Sequence, residues 1–134
     1  MLSPQNIKYQ KHFKGKLRGT AVRGTTIVHG KYAIRVLEEV RLSSQQIESL
    51  RRCILQKMQK SGFLWIRAFP DIPVTKKPTE TRMGRGKGEI SLWVAKLKKG
   101  QIICEISDIS IEHAKRILKA GSKKLPIKTK IIWK

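Results

Sequence analysis

The first 37 residues hold eight lysines or arginines and no aspartate or glutamate, so this stretch cannot neutralise its own charge by folding on itself. Gly15, Gly19, Gly24 and Gly30 punctuate it, and KHFKGKLRGTAVRG keeps neither the helical nor the strand period. The excess continues along the chain, where 30 Lys and Arg against 9 Asp and Glu over 134 residues give 30 − 9 = +21. A compact domain with that charge repels itself unless a polyanion neutralises it, and nucleic acid is the first candidate. The opening segment therefore reads as an extended RNA-contacting arm, residues 1–30. The alternatives are a solvated disordered terminus or a mitochondrial presequence, the latter opposed by scarce serine.

Behind the arm the chain is apolar enough, at 40% hydrophobic, to build a core, and its length fits one domain. In residues 31–42, Ile34, Val36, Val40 and Leu42 alternate with Arg35, Leu37, Glu39 and Arg41, which predicts one half-buried strand. Ser43 with Gln46 three residues on forms a capping-box pattern. Ile47, Leu50, Ile54 and Met58 then recur at helical spacing, and Gly62 supplies a stop. The opposite face carries Arg51, Arg52, Lys57 and Lys60, read either as a solvated helix face or as an RNA contact. An aromatic strand follows over 63–69, and residues 90–97 and 101–106 around KKG read as a hairpin. A second helix opens at Ser110, with Ile111, Ala114, Ile117 and Leu118 inward and Gly121 at its end, before a closing strand over 126–133. Strands with two separated helices predict a single α+β domain over 31–134, with an antiparallel sheet. Residues 70–88 hold three prolines and three glycines without periodicity and read as a long functional loop.

Several chemistries find no support. The longest runs free of charged residues, 1–7 and 24–30, are seven residues long, against the roughly 20 apolar residues of a membrane span. The opening lacks the apolar core of a signal peptide, and the basic residues are not segregated opposite an apolar helix face. Cys53 and Cys104 stand 51 positions apart without a CxxC partner, and His12, His29 and His113 are scattered, so no metal site or cofactor is expected. The nine acids read as partners for surplus cations. GRGKG at 84–88 fails the P-loop pattern at Thr81 and at Gly88, and the glycines do not form a dinucleotide fingerprint. What remains is a loop tip whose Arg82, Arg85 and Lys87 can donate to phosphates. Trp65, Trp93 and Trp133 are read as core residues within strands rather than base-stacking platforms. No enzyme signature is present.

The blocks MLSPQNIKYQKHFKGKLRG, SSQQIESLRR, LWIRAFPDIPVTKKP, TRMGRGKG, LWVAKLKKGQIICEI and KKLPIKT together resemble, end to end and in order, the bacterial-type large-subunit ribosomal proteins of the L sixteen family. The resemblance implies a hammerhead-like α+β two-layer sandwich that binds large-subunit rRNA and sits among neighbouring ribosomal proteins. It implies that Lys8, Lys11, Lys14, Lys16, Arg18 and Arg23 contact rRNA through the arm. It also implies that Arg82, Met83, Gly84, Arg85, Gly86, Lys87 and Gly88 form a loop facing the A-site tRNA and the peptidyl-transferase region, with Arg82 at a position hydroxylated in some bacterial members. Arg51 and Arg52 are added to the rRNA-binding set from the helix face.

Two departures stand out. Gln10 occupies a usually basic position, and twenty Lys to ten Arg with abundant Ile contrasts with the family's Arg-rich pattern. Because the resemblance begins at Met1, the expectation is a chain without a presequence, encoded in a mitochondrion rather than a plastid, with an AT-rich bacterium as the alternative. The functional expectation is a non-enzymatic structural constituent of the large subunit, with no homo-oligomer. The rival is a free RNA chaperone or regulator outside the ribosome.

Overall fold

A computed structural model describes residues 2–59, 61–84 and 86–134. Seven strands and two helices follow the arm: β1 (Tyr32–Val36), β2 (Val40–Ser43), α1 (Ser44–Met58), β3 (Phe63–Ile66), β4 (Ile72–Lys76), β5 (Glu89–Leu97), β6 (Ile102–Ser107), α2 (Ile111–Ser122) and β7 (Thr129–Trp133). The α+β expectation holds, but the strands form two antiparallel sheets rather than one, ordered β3-β6-β1-β7 and β2-β5-β4. The helices pack on each other; α1 reaches β2 and β5, and α2 reaches β1 and β7, so the helix pair joins both sheets.

The strand expected over 31–42 is two strands in different sheets. Val36 donates its N–H to Gln101 O at 2.8 Å, Leu37 donates to Lys128 O at 3.1 Å, and the chain turns through Glu38 and Glu39 before β2 pairs with β5. Val36 and Val40 are an even number apart, so the alternation runs unbroken across the corner and hides it.

The predicted hairpin is also absent. Gly100, at φ +96°, turns the chain after β5, and its N–H donates to Val36 O at 2.8 Å. That contact delivers β6 to the other sheet, between β1 and β3. All six residues of β6 are buried, as a strand with neighbours on both edges and cover on its faces requires. The hairpin that does form is β4–β5. Its first strand lies inside the segment expected to be loop, because Pro73 masked it; proline is tolerated there since β4 is an edge strand. The loop proper is residues 77–88.

Helix α1 matches its prediction closely. Gln46 N donates to Ser43 Oγ at 3.3 Å, and Ser43 N donates to Gln46 Oε1 at 2.9 Å. Ile47, Leu50, Ile54 and Met58 are buried, each worth about 1.5–3 kcal/mol relative to exposure. The helix ends earlier than predicted, on Gln59 in the left-handed region at φ 48°, not on Gly62. Gly62 instead lets β3 pass β6, since a Cβ there would stand 2.3 Å from Ser107 O. In α2, Ala114, Ile117 and Leu118 are buried as expected, but Ile111 is exposed. Gly121 does not stop α2; it is a buried helical residue where a Cβ would meet Ile54 and Leu50 of α1 at 3.0 Å. It sets how closely the helices approach.

The tryptophans are not core residues. Trp133 is exposed and lies under Lys115 Nζ at 5.0 Å, while the half-buried Trp65 stacks on His29 at 5.9 Å between ring centroids.

Candidate nucleic-acid interface

The arm runs over the domain and is pinned to it from Gly15 to Gly30. Arg41 Nη2 donates to Gly15 O at 2.7 Å, Ala21 N to Lys99 O at 2.9 Å, Ile102 N to Gly24 O at 2.9 Å, and Arg35 Nη2 to Thr25 O at 2.9 Å. Its root is held by Glu105 in the buried strand β6. Glu105 Oε2 accepts from His29 N at 2.6 Å, Gly30 N at 2.8 Å and Val28 N at 3.2 Å; Oε1 accepts from Arg67 Nη1 at 2.6 Å. Burial alone would raise the Glu105 pKa, but the amides of Gly30 and His29, the Arg67 guanidinium and the Val28 amide outweigh it and hold the carboxyl below its ordinary value. Arg67 Nη1 also donates to Thr26 O at 2.7 Å, tying the same guanidinium to the arm.

With its backbone fastened inward, the arm turns its cations out. Lys8, Lys11, Lys14, Lys16, Arg18 and Arg23 are all exposed, and none makes an ion pair with a described carboxylate. Two aromatics that sequence reasoning passed over, Tyr9 and Phe13, are exposed among them, Phe13 at 96%. Lys8 Nζ lies 5.6 Å from the Tyr9 ring centroid, and Lys87 Nζ lies 5.4 Å from that of Phe13. The signal for them was present: aromatics interleaved with lysines in an acid-free run have no core to enter and offer faces for bases to stack on.

The 77–88 loop projects from the β4–β5 hairpin. Lys77 Nζ donates to Gly84 O at 2.7 Å, and Thr81 N donates to Pro78 O at 3.2 Å. Arg82, Met83, Gly84, Gly86 and Lys87 are exposed; Arg85, like Lys60 on the helix face, lies outside the described residues. Gly84 and Gly86 adopt φ +104° and +74°, with nothing within 4 Å of where a Cβ would sit, so backbone is bare at the tip. Gly88 differs, because a Cβ there would stand 2.6 Å from Lys76 O. It closes the loop onto β4.

The structure brings the arm and the loop together. Lys87 Nζ donates to His12 O at 2.5 Å, and Lys11 Nζ donates to Lys87 O at 3.1 Å, across about 75 residues of sequence. Arg51 and Arg52 lie on α1, where Arg52 and Glu48 line a hollow with Leu2 of the arm, and both arginines pair with Glu48. Arg51 reaches it at 2.7 and 2.8 Å, and Arg52 through Nε alone at 2.8 Å. The Arg51 and then the Arg52 hydrogen bonds hold the Glu48 pKa at about 2.

The acids behave in part as the partners expected of them: Glu48 takes Arg51 and Arg52, Glu105 takes Arg67, and Glu38 lies 3.7 Å from Lys128. Among the described residues no group of three His, Cys, Asp or Glu side chains is placed to hold a metal, and no helix is long and apolar enough to cross a membrane. The arrangement offers donors, bare backbone and aromatic faces to an anionic polymer.

Comparison with known proteins shows the family. The model of the family described as ribosomal protein L16p/L10e matches residues 4–132. The proteins named large ribosomal subunit protein uL16 from Chelativorans sp. and from Mesorhizobium japonicum are 45% and 44% identical over 132 residues, covering 98% of this chain and 96% of each relative. The protein of the same name from Caulobacter vibrioides is 43% identical, over 98% of this chain and 92% of its own length. Similarity of this extent, unbroken from the arm to β7, means that the chain belongs to the ribosomal protein L16p/L10e family.

Proposed function

We propose that the chain is a non-enzymatic structural constituent of the large ribosomal subunit that binds rRNA and presents the 77–88 loop toward the A-site tRNA. One observation carries the geometry of this reading. The exposed cations of the arm and those of the loop tip are joined by the Lys11, His12 and Lys87 contacts into one surface, in a chain whose relatives are named for the large ribosomal subunit. Residues 1–30 act as the arm and 31–134 as the domain that carries it. Lys8, Lys11, Lys14, Lys16, Arg18 and Arg23 neutralise rRNA phosphates, and Arg52, with only Nε engaged on Glu48, is better placed than Arg51 to add a contact from α1. Arg82 and Lys87, with the bare amides near Gly84 and Gly86, meet tRNA. Neighbouring ribosomal proteins complete the surroundings. The relatives are bacterial, which favours a bacterial ribosome over the mitochondrial one expected from the sequence.

The test is sedimentation of native lysate with and without RNase. Co-sedimentation with the large subunit and release by RNase support the reading, whereas protein confined to light fractions supports the free RNA chaperone instead. For the loop, Arg82→Ala with Lys87→Ala is expected to slow translation per ribosome while subunit yield stays normal. Lost subunits with normal rates would place these residues in assembly rather than in tRNA contact.

A further inference from the structure

The C-terminal end of α1 and the first turns of α2 leave between them a cleft of about 420 Å³, lined by Gln56, Lys57, Gln59, His113, Arg116 and Ile117. Of these only Ile117 is apolar, and it is buried; Lys57 and Arg116 are exposed. Neither Lys57 nor Arg116 pairs with a described carboxylate, in contrast to Arg51 and Arg52 one to two turns earlier on α1, which share Glu48. Glu112, the acid nearest in sequence, is not among the lining residues. The carbonyl of Met58 at the helix end, which would repel an anion, is taken up by the Ser61 amide at 2.9 Å and by the Ser61 hydroxyl. The cleft therefore gathers cationic and amide donors with no acid to satisfy them.

A second observation concerns the backbone. Gln59 closes α1 in the left-handed region at φ 48°, where glycine is the usual residue and a side chain is strained. Strained conformations held by non-glycine residues gather where the side chain has a use. Here Gln59 is one of the residues that line the cleft, where a glycine would bring no side-chain donor.

We infer that this cleft seats a phosphate of the RNA backbone, gripped by Lys57 and Arg116 with the amides of Gln56 and Gln59, as an anchoring point on the helical layer separate from the arm and the loop. The inference rests on the rRNA-binding reading above and gives it another surface. RNA is favoured over a protein partner because protein interfaces centre on aromatic or aliphatic anchors, and this cleft exposes none. A chain carrying +21 also has more to gain from a phosphate.

The test measures binding of the full-length chain to large-subunit rRNA across a salt series. The double variant Lys57→Gln, Arg116→Gln is compared with wild type and with Lys130→Gln, Lys134→Gln, which removes equal charge from β7 and the residue after it. All four side chains are exposed, and circular dichroism melts confirm that the variants fold. Each lost phosphate contact removes about 0.9 from the slope of log affinity against log salt, so the cleft variant, which loses one seated phosphate, is expected to be shallower by about 0.9, with the control nearer to wild type. A cleft variant with the wild-type slope, or a control that loses as much, overturns the inference. A wild-type chain that shows no salt-dependent binding removes the rRNA reading and this one with it.

Discussion

Replacing Glu105 by glutamine keeps shape and removes charge, and the structure lets the cost be worked out. The carboxylate is fully buried and serves three backbone amides through Oε2 and Arg67 Nη1 through Oε1. A glutamine oxygen in place of Oε2 keeps the three amide bonds, but as neutral bonds of roughly half the strength. Its NH2 group in place of Oε1 meets Arg67 Nη1, at 2.6 Å in the wild type, donor against donor. A bond to a charged group is worth about 1.5–3 kcal/mol, and Arg67 is partly solvated and recovers some of the loss in water. Against these losses of roughly 4–7 kcal/mol stands the desolvation cost of the buried charge, which the neutral glutamine avoids, and the net is about 3 kcal/mol.

In urea that corresponds to a midpoint lowered by about 1–3 M, since slopes for small proteins run near 1–3 kcal/mol per M. The acid limb gives an independent check. Glu105 titrates below its ordinary 4.5 in the folded chain, so its contribution is complete above pH 4.5 and is lost as the pH falls through the lower folded value. The gap between wild type and Glu105→Gln is therefore expected to narrow below pH 4.5. Limited proteolysis at neutral pH is expected to cut the variant first within residues 1–30. Stability within about 0.5 kcal/mol of wild type, or a gap that stays constant into acid, refutes the reasoning.

Four further outcomes follow from other features. Gly30→Ala places a Cβ 2.6 Å from Ile106 O and is expected to cost roughly 1–3 kcal/mol in urea unfolding. Gln59→Gly relieves the left-handed C-cap and is expected to raise stability by about 1 kcal/mol by thermal melting. Glu48→Gln frees Arg51 and Arg52, and filter binding is expected to show tighter RNA binding with a steeper salt slope. Burial pushes the Cys104 thiol up to about 12, so at pH 8 iodoacetamide is expected to modify the half-buried Cys53 in the native chain and to reach Cys104 only after unfolding; mass spectrometry reads the order.

The parts of the fold legible in the sequence are those whose partners lie within one or two turns. Helix α1 announced itself through Ser43, Gln46 and a regular apolar stripe, all local terms. Which strand pairs with which was not legible, because alternation reports faces and says nothing about edges. The even spacing between Val36 and Val40 concealed a change of sheet, and the KKG turn after β5 resembled that of a hairpin although Gly100 hands the chain to β1. Pro73 silenced β4, whose edge position is a tertiary fact. The basic residues of the arm and loop were legible from charge and resemblance alone. Their union through Lys87 and His12 was not, and neither was the role of Glu105, which looked like one more scattered acid because its amide partners stand 75 to 77 positions away.

That separation also has a bearing on the order of events during synthesis. The amides of Val28, His29 and Gly30 leave the exit tunnel at least 75 residues ahead of the carboxylate that receives them. At elongation rates of about 5–20 residues per second, they wait roughly 4–15 s without it. Through that interval the root of the polycationic arm lacks the acid that gathers its amides, and β6 is the element whose arrival completes the fastening begun by Arg35 and Arg41.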